Sequence, residues 1–191
     1  MTPKCGSRTI FAWGALIKEP DLLLKNRTWF SENSKGVGYS NISKKLTFYK
    51  STKHDQEVRF CVIRDPVDRF LSGFTNRILY HNDIKTEMTI EEFIKSFDSI
   101  MKNPEYKNAA SHFKPQSESI GTNPDLYTHI FKLSEIEKIK VLLESYCKFH
   151  LPYLHLQQSG GIKKPKLTPA QIAWIRKKYE IDYQIYGKWM R

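Results

Sequence analysis

Arg64-Asp65-Pro66-Val67-Asp68-Arg69-Phe70-Leu71-Ser72-Gly73-Phe74 is the stretch on which the reading of this chain turns. Just before it runs Val58-Arg59-Phe60-Cys61-Val62-Ile63, a short apolar segment with the character of a buried strand. Asp65 suits a helix N-cap and Pro66 the first helical position. The pattern predicts a helix from Pro66 to about Tyr80, with Val67, Phe70, Leu71 and Phe74 inward. A strand, a tight turn and a helix start place backbone N–H groups and a helix dipole where an anion can sit. Arg64 in the turn and Ser72 two turns along could both reach such an anion. The plain alternative is that Arg64 and Asp65 only cap the helix and Arg69 lies on a solvated face.

Outward from this stretch the chain alternates loops with helical periods. Ser7 to Ile17 reads as a helix with Ile10, Phe11, Gly14 and Ile17 on one face, closed by Pro20. Residues 25–57 are polar and hold at best short strands such as Leu46–Tyr49. Thr89-Ile90-Glu91-Glu92, Ser134-Glu135-Ile136-Glu137 and Thr168-Pro169-Ala170-Gln171 each read as a capping box. They predict helices to about Met101, to about Tyr146, and through Tyr179 toward Tyr186. Ser159-Gly160-Gly161-Ile162-Lys163-Lys164-Pro165 is a flexible basic loop. The order points to an α/β layered fold and to one domain over residues 1–191.

The chain has 191 residues and a formal net charge of +11. That excess fits anionic partners, namely a nucleotide, an acidic glycan, nucleic acid or an anionic membrane surface, and it equally fits a generic basic surface. Three cysteines, Cys5, Cys61 and Cys147, without a CxxC pair argue against a disulfide framework and a structural zinc site. No metal-ligand spacing is present. No apolar run approaches the roughly 20 residues a membrane span needs. No signal-peptide pattern opens the chain, so the expected location is cytoplasmic.

A second anion-binding candidate is Pro3-Lys4-Cys5-Gly6-Ser7-Arg8-Thr9. A Gly-containing turn at a helix N-terminus, with hydroxyls and a lysine, suits a phosphate or sulfate; the alternative is a turn that only caps a helix. The two segments together resemble the nucleotide-binding motifs of sulfotransferases that use 3′-phosphoadenosine 5′-phosphosulfate. The first resembles the 5′-phosphosulfate loop PKxG[ST], and the second the 3′-phosphate motif RDPxxRxxSxF, complete through Phe74. Ser111-His112-Phe113-Lys114-Pro115-Gln116 is similar to the H[WF]xPQ segment of the carbohydrate branch. Tyr179–Gly187 resembles that branch's YxxDYxLFG-like close.

The resemblance implies a P-loop-kinase-like parallel sheet flanked by helices in a single domain. Only Met1 and Thr2 precede Pro3, so the first strand is expected to be missing or truncated. By the same resemblance Lys4 contacts the 5′-phosphosulfate and stabilises the leaving oxygen. Gly6, Ser7 and Thr9 bind the 5′ phosphate, with Cys5 and Arg8 in the same loop. Arg8 stands where the family usually has a small hydroxyl residue, and either adds a phosphate contact or crowds the site. Arg64 and Ser72 hold the 3′ phosphate. Gly161 and Lys163 fall in the loop that resembles the family's closing segment. The donor is a co-substrate, and no metal is needed.

The base that takes the acceptor proton is left open among His112, Glu32 and His54. His81, His129, His150 and His155 read as structural. A P-loop kinase would need GxxxxGK[ST], which is absent. A basic nucleic-acid-binding protein would carry a recognised motif, and none is present. An inactive nucleotide-binding relative remains a further alternative. The acceptor implied is a hydroxyl of a carbohydrate or glycoconjugate. Basic residues over 25–59 suit an acidic one, and also suit a solvated face.

Overall fold

The computed structural model describes residues 4–18, 58–147, 149–154 and 161–190. The expected strand Leu46–Tyr49 lies outside them. The chain gathers into two compact units. One comprises Met1–Cys5, Ile63–Thr122 and Ser159–Arg191; the other comprises Gly6–Val62 and Asn123–Gln158.

In chain order the elements begin with α1 (Ser7–Lys18) and β1 (Phe60–Ile63), followed by α2 (Pro66–Gly73). Next come α3 (Ile90–Lys95), α4 (Phe97–Lys102), α5 (Lys107–Ser111) and α6 (Gln116–Ile120). Then follow β2 (His129–Lys132), α7 (Ile136–Cys147), α8 (Pro169–Lys178) and α9 (Glu180–Tyr186). The sheet of the described residues has two strands, β1 and β2. The backbone N–H groups of Thr128 and His129 donate to the Arg59 carbonyl at 2.8 and 3.1 Å, so the strands pair start to start. This part of the fold is a helix-rich α/β arrangement with a small sheet, less than the helix-flanked parallel sheet the sequence led us to expect.

The unit that carries α2 is built on aromatic packing. Phe70 and Phe74 of α2 are 1% exposed and meet Phe93 of α3, Phe97 of α4 and Phe113. The ring centroid of Phe70 lies 5.8 Å from Phe93, 5.4 Å from Phe113 and 6.0 Å from Trp174 of α8. Edge-on and tilted rings at such distances add stability beyond area burial. α2 starts as its sequence demands. Asp65 Oδ1 accepts from the Val67 and Asp68 N–H groups at 2.8 and 3.3 Å, and Pro66 fills the first turn.

The helical run does not continue uniformly to Tyr80. Phe74–Tyr80 is a π-helix, and the Thr75 hydroxyl donates back to the Leu71 carbonyl at 2.9 Å at its start. The inward set also differs from the expectation. Phe70 and Phe74 are buried as foreseen, Val67 and Leu71 are half-buried, and Arg69 is 1% exposed rather than solvated.

The capping boxes at Thr89 and Thr168 form, with Glu92 and Gln171 closing back on the caps at 2.8 and 2.9 Å. The Thr89 run is interrupted at Ser96, which splits it into α3 and α4. The third box sits two residues earlier than expected. Glu135 accepts from the Lys132 N–H at 2.9 Å, a 3-10 turn covers Leu133–Glu135, and α7 begins at Ile136.

In the other unit α1 is buried on nearly all sides. Thr9, Ile10, Phe11, Ala12, Trp13, Ala15 and Leu16 are covered, while Gly14 is exposed instead of lying on a core face. Such all-round burial erases the one-face pattern the sequence suggested. The Trp13 indole donates to the Pro152 carbonyl at 2.9 Å, and Phe60 and Phe131 pack edge to face across the strands. Among the described residues no helix is long and apolar enough to cross a membrane.

Candidate functional site

Lys4 is the first described residue, and its backbone is in the left-handed region with φ of 67°. A non-glycine residue there costs about 1–2 kcal/mol, and such strain concentrates at functional sites. Its carbonyl accepts from the Arg64 guanidinium at 3.3 Å. Its ammonium donates to the Asn76 side-chain oxygen on the π-helix. Asn76 is itself 5% exposed. The lysine is therefore held at both ends, by the Arg64 turn and by the segment that continues α2.

Gln116 binds the two sequence motifs together. Its side-chain oxygen accepts from the Cys5 thiol at 3.3 Å and from the Arg64 N–H at 3.0 Å. Its amide donates to the Arg64 carbonyl at 2.8 Å. Burial, opposed by the Arg69 and Arg64 charges, pushes the Cys5 thiol up to about 11, so it stays protonated and can donate.

Gln116 is fixed in turn by Asp182 of α9. The fully buried Asp182 carboxylate accepts the Gln116 N–H at 2.8 Å and the Ser117 N–H at 2.9 Å. The segment before it is strapped from two more sides. Arg69 donates to the Lys114 carbonyl at 2.7 Å, and the Tyr179 hydroxyl donates to the Phe113 carbonyl at 2.5 Å. Tyr183 donates to Asp65 at 3.0 Å, joining α9 to the cap of α2. Burial, with the Asp65 charge beside it, pushes the Tyr183 phenol up to about 12.

His112 closes α5 and is half-buried. Its Nδ1 is buried and has no hydrogen-bond partner among the described residues. Burial, and then the positive charges of Lys4, Arg77, Arg69 and His81, push the imidazole down to about 3. His112 is thus neutral at pH 7, within the electrostatic reach of Lys4.

Of the residues singled out from sequence, Lys4, Cys5, Arg64 and His112 come together in one unit. Ser72 lies in the last turn of α2, half-buried, one helical turn before Asn76. Gly161 and Lys163 are exposed, and neither takes part in the hydrogen bonds above. Gly6, Ser7, Arg8 and Thr9 belong to the other unit. Gly6 has φ of 71°, a left-handed conformation that favours glycine. Thr9 is buried and its hydroxyl donates to the Leu154 carbonyl at 3.0 Å, an internal bond rather than an open phosphate contact. Glu32 and His54 lie outside the described residues. His81, His129 and His150 are exposed, and His155 lies outside the described residues. Among the described residues no group of three or more His, Cys, Asp or Glu gathers to hold a metal.

Sequence reasoning did not single out Asn76 and Asp182, and it gave Gln116 no role. Gln116 and Asp182 stood inside quoted motifs, so the signal was present without a mechanism attached. Asn76 had no signal, because its burial depends on the π-helical turn.

A model described as the sulfotransferase family matches residues 2–149. The chain belongs to that family, a family of transferases that act by sulfuryl transfer. The matched span holds the Lys4 loop, the Arg64–Phe74 stretch and the His112–Gln116 segment, while Asp182 and Tyr183 lie beyond it. No curated protein and no solved structure matches the chain.

Proposed function

We propose that the chain transfers the sulfuryl group of 3′-phosphoadenosine 5′-phosphosulfate to a hydroxyl of a carbohydrate or glycoconjugate. The observation that carries this reading is the Gln116 amide, which fastens Cys5 beside Lys4 to the Arg64 turn. It sets Lys4 and Cys5 of the first motif beside Arg64 of the second. The residues present fit an anionic donor: a strained lysine, a guanidinium, a half-buried serine and a neutral histidine.

The donor supplies the sulfuryl group, and its 5′-phosphate leaves with the bridging oxygen. Lys4 offers its ammonium to that oxygen as negative charge develops there. By resemblance to the family's loop motif, Gly6, Ser7 and Thr9 would bind the 5′-phosphate. Arg64 and Ser72 hold the 3′-phosphate. Of the three base candidates His112 alone lies among the described residues, and a bound anionic donor would offset the cationic charges that hold its imidazole down. His112 accepts the acceptor's proton as the acceptor oxygen bonds to sulfur and the bridging S–O bond breaks. Gly161 and Lys163 would close over the nucleotide. The acceptor is a sugar hydroxyl, with an acidic glycan favoured by the net charge of +11.

The test is thermal stabilisation by adenosine 3′,5′-bisphosphate, compared between wild type and Arg64→Ala. Loss of one charge-assisted bond should weaken binding roughly ten- to a hundredfold. Equal stabilisation of both proteins would remove the motif assignment. Binding without transfer to any hydroxyl in a glycan panel would leave an inactive relative instead.

A further inference from the structure

We infer that Asn76 is the positioning residue of Lys4, a neutral acceptor that orients the ammonium without cancelling its charge; this rests on the sulfuryl-transfer reading above. Three observations carry it. The Asn76 oxygen accepts from the Lys4 ammonium, and Asn76 is 5% exposed, so the contact is not a passing surface one. Asn76 sits in the π-helix that follows α2, a wider turn than an α-helix and one often found at functional sites. The other end of Lys4 is fixed too, since its strained backbone is held through its carbonyl by Arg64.

The chemistry explains why an amide stands there. A carboxylate at the same place would form an ion pair and repel an incoming sulfate. An apolar residue would take this acceptor away from the ammonium in a half-buried position. An amide oxygen keeps the ammonium protonated and pointed, and releases it at modest cost when a phosphosulfate oxygen arrives. Asn76 touches no reacting atom and acts through Lys4. Asn76 follows Ser72 by four residues, across the junction of α2 with the π-helix.

The test reads Lys4 itself. The full chain and its Asn76→Ala and Asn76→Asp variants are treated with formaldehyde and cyanoborohydride from about pH 7 to 10. Dimethylation of Lys4 is followed by peptide mass spectrometry. Asn76→Ala should methylate Lys4 faster at a given pH, on the order of tenfold, with the rate profile moved to lower pH. Asn76→Asp, nearly isosteric, should slow it and move the profile to higher pH. A merely structural residue would not move the two profiles in opposite directions. Superimposable profiles for all three proteins overturn the inference. If Asn76→Ala does not fold, as judged by its melting curve, the Asp variant alone decides by the same criterion. Adenosine 3′,5′-bisphosphate is then added to wild type as a separate arm. If it gives no stabilisation the sulfuryl-transfer reading fails, while the methylation profiles still judge the Lys4–Asn76 contact.

Discussion

At His112 burial and four nearby cationic side chains act in the same direction, and both hold the imidazole neutral. The sign of the stability effect follows. The folded chain resists protonation of His112 down to about 3, whereas an unfolded chain takes up the proton near the ordinary 6.5. The stabilisation from a neutral His112 is therefore present above about pH 6.5 and is lost as the pH falls toward 3. His112→Phe should flatten that part of the curve. Urea midpoints of both proteins at several pH values in this window check it, and parallel curves would refute it. Binding a multiply charged nucleotide should offset the Lys4, Arg77 and Arg69 charges and raise the His112 pKa, as seen in its ring proton shifts. The Lys4 loop and the Arg64 turn were legible in the sequence because each is a short motif of fixed residue types and spacing. The buried Nδ1 was not, because burial comes from packing that no short motif encodes.

Among the elements, α6 shows how little local sequence decides. It has five residues, Gln116–Ile120, too few to be stable alone. The Asp182 carboxylate holds it by accepting two of its first N–H groups. Asp182→Ala would leave both without an acceptor in a buried place, at a cost of about 2–5 kcal/mol. It should also weaken adenosine 3′,5′-bisphosphate binding, because Gln116 positions Arg64. Denaturant midpoints and nucleotide affinity are the measurements, and a variant as stable as wild type would rule out this strap. The same contrast explains which elements the sequence foretold. α2, α3 and α8 carry their own caps in Asp65, Thr89 and Thr168, so their starts were readable. The π-helix from Phe74, the break at Ser96 and the 3-10 turn that Glu135 closes before α7 had no such local signal. The helical period alone carries no mark of them.

For the whole molecule the formal charge of +11 makes electrostatic attraction of anions a long-range property as well as a local one. Raising salt from about 0.05 to 0.3 M should weaken adenosine 3′,5′-bisphosphate binding several-fold, and an affinity indifferent to salt would contradict a charge-led site. The buried indole of Trp13 has a wider use. It is 1% exposed and belongs to one compact unit, whereas Trp174, packed 5.3 Å from Phe97, belongs to the other. The only other tryptophans are Trp29 and Trp189. Replacing all but one with phenylalanine gives two proteins whose intrinsic fluorescence reports one unit each. If residues 1–191 fold as the single domain expected from the sequence, both emission traces share one melting midpoint. Two separated midpoints would show two independently melting parts. The indole placement thus makes the chain its own optical gauge of cooperativity, with no dye attached.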